Sequence, residues 1–221
     1  MTQVNLMAAA VCVSLLALTT FVGLPPCRAQ VFLDIPVPHT TFVVFADRHL
    51  DDDQWTAFVA ELHKSQEDSA KKIPTLAGDF EVLRGEDLEL GLRVENGISV
   101  YLHGDCTLLP GPRHLVMGAL GWVPLDHGRI EPFVHVECSR ISEMLAPQAL
   151  GMRRDRRNTV MAEAIARVVM HEWIHVATQN AAHGHSGVTK SQFQVSDLLA
   201  ADEKLRPPQE IHHGRRHQSG M

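Results

Sequence analysis

The sequence has no surplus of positive charge, no internal repeat, no low-complexity block and no phosphate-binding loop. Lys and Arg number 20 against 26 Asp and Glu, a formal charge of -6, so no global positive field draws in nucleic-acid phosphates. Nucleic acid is therefore not an expected partner. A nucleotide cradle needs a glycine-rich turn after a strand, and Leu90-Gly91-Leu92 and residues 116–122 are too sparse and wrongly placed for one. Asp51-Asp52-Asp53 lacks the alternate ligands, central glycine and closing glutamate of a calcium loop. What is present is a globular balance of 45% hydrophobic and 21% charged residues, with 14 His beside a single Tyr. Histidine is the commonest metal-binding side chain.

The N-terminal stretch stands apart. Residues 6–24 carry no charge and are rich in Ala, Leu and Val, Pro25-Pro26 breaks the run, and Cys27-Arg28-Ala29 precedes Gln30. This pattern predicts a secretory signal over 1–29, cleaved after Ala29. The rival reading is an uncleaved single-span anchor, because the uncharged run is about long enough to cross a bilayer and residues 1–5 hold no Lys or Arg. Lipidation at Cys27 fits poorly with two prolines before it. A domain over 30–206 and a His- and Arg-containing tail over 207–221 complete the expected organisation. The expected location is secreted or periplasmic, with no stable membrane insertion once the signal is removed. Cleavage removes Cys12 and Cys27 and leaves Cys106 and Cys138, a candidate disulfide in an oxidising compartment, with two separate buried thiols as the alternative.

Thr41-Phe42-Val43-Val44-Phe45 predicts a strand, and the Asp51–Asp53 cluster predicts a helix start through capping and the dipole. Trp55, Phe58, Val59 and Leu62 then form an apolar helical stripe that ends near Lys71-Lys72-Ile73-Pro74. Strands are expected at 80–83 and 88–94, the latter paired through an Asn96-Gly97 turn with 98–102 as a hairpin. Two more are expected at 114–123 and 129–136, joined through Asp126-His127-Gly128. Asn158 is the expected N-cap of the longest helix, 159–179, which has no Gly or Pro; a short helix is expected within 195–205. The order implies an α+β fold with a mixed or largely antiparallel sheet.

The long helix carries His171-Glu172-Trp173-Ile174-His175, an H-E-x-x-H motif. Residues four apart on a helix share one face, so both imidazoles can grip one ion while Glu172 addresses a water beside it. Met161, Ala164 and Val168 lead to His171 and His175 in steps of three and four, which puts the ligands on a buried stripe. Two core histidines without a metal are the alternative, at the cost of burying two imidazoles and a carboxylate without a common partner. A zinc site needs a third ligand, and His183 and His185, eight and ten residues beyond His175, both qualify once a turn at Gln179-Asn180 ends the helix.

With these residues in view, the chain resembles zincin-like metallopeptidases, in particular small secreted bacterial proteins with H-E-x-x-H, seven residues, His, then a Gly-Ile-Met-like segment. The likeness runs over residues 131–199 and rests on Phe133-Val134-His135-Val136-Glu137-Cys138-Ser139-Arg140-Ile141, on Ile165-Ala166-Arg167-Val168-Val169-Met170 before the motif, and on Gly187-Val188-Thr189-Lys190 after it. The resemblance implies a zincin-like fold with the motif helix at an active site. It also implies a Zn2+ cofactor and His183 as third ligand. Thr189 stands where that group places a methionine beneath the metal, and the ordinary metzincin spacing would fall on Ala181. A downstream acid such as Asp202 or Glu203 is the gluzincin alternative.

The chemistry expected of such a site is hydrolysis of a peptide bond by a metal-activated water, with Glu172 as general base and a peptide or protein as substrate. Tyr101, His114, His127 and His135 are the polar candidates for an added oxyanion donor, and Trp122 and Trp173 for lining a subsite. A non-catalytic zinc-bearing envelope or secreted binding protein is the alternative function, and an envelope protein without metal, binding partners through its acidic surface, is the third.

Overall fold

The computed structural model describes residues 39–89, 94, 96–112, 116–183 and 192–199. All of them belong to one compact unit, Pro36–Met221. The expected signal segment 1–29 and tail 207–221 lie outside the described residues, as do His114, His185, Thr189, Asp202 and Glu203.

The chain opens with strand β1 (Thr40–Ala46), helix α1 (Asp52–Ala70) and strand β2 (Phe80–Arg84). Asp51 caps α1 as its sequence predicts. Its carboxylate accepts from Gln54 N at 2.8 Å, and Gln54 Oε1 accepts from Asp51 N at 3.1 Å, a reciprocal capping box. Strand β3 (Gly97–His103), the two-residue strands β4 (Gly121–Trp122), β5 (Leu125–Asp126) and β6 (Arg129–Ile130), and β7 (Phe133–Glu137) follow. Helices α2 (Cys138–Leu145), α3 (Arg154–Thr178) and α4 (Val195–Leu198) complete the described part.

The fold is α+β, with a mixed sheet in the order β2-β1-β3-β7-β4. β1 pairs in parallel with β2 and β3, β3 pairs in parallel with β7, and only β4 runs antiparallel, against β7. The sheet is mixed, the first of the two expected forms, and its mostly parallel pairing sets aside the largely antiparallel one. The expected hairpin at Asn96-Gly97 fails for the same reason. Asn96 does take a left-handed turn conformation, φ 52°, but β1 and β7 occupy both sides of β3, leaving no ladder for 88–94 to join; of that segment, 90–93 lie outside the described residues. The turn at His127-Gly128 is present, with φ 46° and 81°, and joins β5 to β6 in a separate two-stranded ribbon. Of the strand expected over 114–123, only Gly121 and Trp122 pair among the described residues.

α3 packs against α1, β7, α2 and α4. Every residue of 160–175 except Glu163 is buried, so α3 is enclosed on nearly all sides, where the sequence pointed to a single stripe. It also begins five residues before the expected start. Arg153 is its N-cap, without a side-chain bond, and Asn158 lies inside the helix, donating from Nδ2 to Asp51 Oδ2 at 2.9 Å. Arg167 on α3 is buried with Glu61 of α1, Nε to Oε1 2.8 Å, and also donates to the Leu198 carbonyl of α4. Truncating such a pair would strand a buried charge. Trp173 packs edge-on against Phe42 and Phe80, at ring separations of 4.9 and 5.8 Å, so it belongs to the core and lines no subsite.

Cys106 and Cys138 form a disulfide, with Cα atoms 4.8 Å apart and a sequence separation of 32. Both cysteines are buried. Closing a loop of that length stabilises a fold by about 3–4 kcal/mol, chiefly by restricting the unfolded chain. The Cys106→Ala/Cys138→Ala protein is expected to lose that amount in urea unfolding, and reductant should then have no further effect on it. Equal midpoints for the oxidised and double-substituted proteins would show that the bond adds nothing.

Candidate metal centre

The site begins with the way α3 ends. Gln179 adopts a left-handed conformation, φ 50° and ψ 35°, and its N–H reaches Val176 O. A non-glycine residue there is unfavourable by about 1–2 kcal/mol, and the Gln179 side chain offsets it. Oε1 accepts from Ile130 N at 3.0 Å, and Nε2 donates to Ile130 O at 2.9 Å and Val176 O at 2.9 Å. The reversal brings the Asn180 carbonyl back to His175, 2.6 Å from Nδ1, and carries His183 to the helix face that bears His171 and His175.

Three imidazoles converge as a result. His171, His175 and His183 each offer one nitrogen within 4.8 Å of the others. His171 Nε2 and His175 Nε2 lie 3.2 Å apart, close to the edge of about 3.3 Å that tetrahedral ligation at Zn–N distances of about 2.0–2.1 Å requires. The His175 Nδ1–H donates to the Asn180 carbonyl, which leaves the Nε2 lone pair facing the cluster. His171 and His175 are buried, and His183 is exposed. The pKa of His183 is lowered by partial burial of its ring and then by His175, which favours the neutral, ligating form. This donor set could hold a metal ion. The ring of Phe193, from the segment leading into α4, stands edge-on to His171 at 5.2 Å.

Glu172 is the fourth element. It is 5% exposed, Oε1 lies 3.9 Å from His171 Nε2, and burial pushes its pKa from 4.5 up to about 7. A carboxyl poised there can both accept and return a proton near neutrality. Gly121 of β4 comes so close that a Cβ would fall 3.0 Å from Glu172 Oε1 and 2.7 Å from Val168 Cγ1. Only glycine lets that backbone approach the carboxylate.

The chain matches no family model, no curated protein and no solved structure.

A cleft of about 640 Å³ opens over the cluster, with His171, Glu172, His175 and His183 on its floor. Met117, Trp122 and Leu125, which are 72%, 38% and 64% exposed, line it. Half of the six exposed large hydrophobics among the described residues thus gather at one concave place, the pattern of a binding surface rather than of scattered apolar residues. Of the residues weighed as oxyanion donors, His114 lies outside the described residues and the other three fall elsewhere. Tyr101 and His135 stack on each other at 5.0 Å in the sheet, neither lines the cleft, and His127 sits at the exposed ribbon turn, 2.8 Å from Asp126. Sequence reasoning missed Gly121 and Phe193, since neither belongs to a motif.

Proposed function

We propose that this protein is a zinc-dependent peptidase of zincin-like architecture, acting outside the cytoplasm. The observation that carries the reading is the convergence of His171, His175 and His183 beside the buried Glu172, at the floor of an apolar-rimmed cleft. Three imidazoles with an open side suit zinc in a catalytic coordination, where the bound ion supplies a Lewis acid that acidifies water and polarises a carbonyl.

The chain's own residues do the rest. Glu172, buried beside the cluster with Oε1 3.9 Å from His171 Nε2, takes a proton from the attacking water and returns it to the leaving amine. Among the described residues β4 is the outermost strand of the sheet, and an extended peptide laid along it would form main-chain hydrogen bonds and pass over Gly121, opposite Glu172. The disulfide fits an oxidising compartment, and no helix among the described residues is long and apolar enough to cross a membrane.

The first test is zinc per chain, by elemental mass spectrometry, on untagged protein beside a His171→Ala control. The expected result is about one zinc per chain, lost in the control, together with chelator-sensitive cleavage of a peptide mixture. Absence of zinc after refolding with metal would overturn the reading and leave His171 and His175 as core residues. Zinc without hydrolysis would replace the enzyme by a zinc-bearing binding protein.

A further inference from the structure

Side chains alternate along the strands, so the sheet has two different faces. Val100, Leu102, Val134 and Val136 are buried on the face towards α3, while Tyr101, His103 and His135 point the other way. On that second face four flat rings stand in one register row. Phe45 of β1 is paired with Tyr101 of β3, Tyr101 with His135 of β7, and His135 with Trp122 of β4. Successive ring centroids are 5.3, 5.0 and 4.8 Å apart, with planes within 17° of each other. His103 joins the row at its Trp122 end. Its Nε2 lies 3.0 Å from His135 Nδ1, and both imidazoles stack on the same indole, His103 at 5.5 Å.

The two ends of the row differ. At one end the Phe45 ring lies against Gly85, where there is no room for a Cβ. At the other end Trp122 sits on the last strand of the sheet, and among the described residues no further ring follows it. Trp122 is 38% exposed and lines the same cleft as Glu172.

The geometry points to Trp122 as the specificity determinant of this cleft: a peptide extended along β4 stacks an aromatic side chain on the indole and supplies the fifth ring of the row. The inference rests on the peptidase reading and names its substrate class. In a strand added to β4, the residue opposite Gly121 directs its side chain towards α3 and Glu172, and the adjacent residue, opposite Trp122, directs its own to the face of the rings. Directly opposed residues place their Cβ atoms about 4.5–5.5 Å apart, the spacing the four rings already keep. An aliphatic side chain at that position covers the indole without the stacked geometry that favours aromatic pairs. A ladder that only stabilises the sheet would not distinguish one peptide from another.

The test uses zinc-loaded Glu172→Gln protein and Ala/Ser hexapeptides in which one Phe, or one Leu in its place, is moved through every position. Phe is expected to bind about tenfold more tightly than Leu at one fixed register. Trp122→Ala should erase the preference, and Trp122→Phe should restore part of it. Absence of peptide binding, equal affinity for Phe and Leu at every position, or a preference that survives Trp122→Ala overturns the inference. Cleavage of a peptide mixture by the unsubstituted protein separates this failure from that of the enzyme reading. Hydrolysis without an aromatic preference removes the role of Trp122 alone. A Phe preference in binding without any hydrolysis removes the peptidase and keeps the stacking site.

Discussion

Replacement of Glu172 by Gln is expected to lower peptide hydrolysis by about two to four orders of magnitude while zinc stays bound, because the amide keeps the shape of the side chain and loses its proton relay. The same substitution should change stability in a pH-dependent way in the metal-free protein. Burial raises the Glu172 pKa from 4.5 to about 7, so the folded state holds this proton more tightly than the unfolded chain does. Below pH 4.5 the carboxyl is protonated in both states and adds no penalty. From pH 4.5 to about 7 the unfolded chain is ionised while the folded carboxyl keeps its proton, and above 7 the folded state has lost about 3 kcal/mol relative to a neutral side chain. Metal-free Glu172→Gln should therefore match the unsubstituted protein near pH 4 and exceed it at pH 8 by about 6–12 °C in Tm. The check is thermal unfolding of both proteins at the two pH values. A difference that does not grow with pH would mean that this carboxyl is not held in a dry site. Added zinc should narrow the gap at pH 8, because a neighbouring cation favours the ionised form.

Zinc itself is expected to produce the second large effect. A ligand present at a thousand times its Kd and bound only by the folded state stabilises it by about 4 kcal/mol, which for a chain of this size raises Tm by about 8–16 °C. His171→Ala and His175→Ala should abolish the rise, since both nitrogens belong to the buried half of the cluster. His183→Ala removes the exposed ligand and should leave a smaller rise, supported by two imidazoles. Calorimetric scans with metal and with chelator give the comparison. If the His183→Ala protein keeps the full rise, the third ligand is not His183, and His185 and the downstream acids return as candidates.

The parts of this molecule that are legible in its sequence are those set by near neighbours. The helix start at Asp51–Asp53, the apolar stripe of α1, the His127-Gly128 turn and the pairing of one face by His171 and His175 each depend on residues within a few positions of one another. Strand neighbours depend on distant segments, so Asn96 could mark a turn correctly while the partner of the strand after it was misjudged. The start of α3 was misplaced because Asn158, a good cap by type, spends its amide on Asp51 of another element. His183 was within reach of spacing and resemblance, whereas the fold that delivers it depends on Gln179 bonding to Ile130, 49 positions away. The row of rings assembles residues 45, 101, 122 and 135 from four strands and has no signature along the chain.

The placement of the two cysteines has a consequence for how the chain matures. Cys138 directly follows β7, Cys106 lies three residues beyond β3, and these strands are neighbours with Leu102 opposite Val136 and His103 opposite Glu137. A slip of one residue between them would turn every side chain of β7 to the other face and carry Cys138 away from Cys106. Oxidation would therefore act as proofreading: air or an oxidoreductase would seal molecules whose central strands have met in the correct alignment, and those out of step would keep the thiols of Cys106 and Cys138, two more than the sealed protein offers a maleimide.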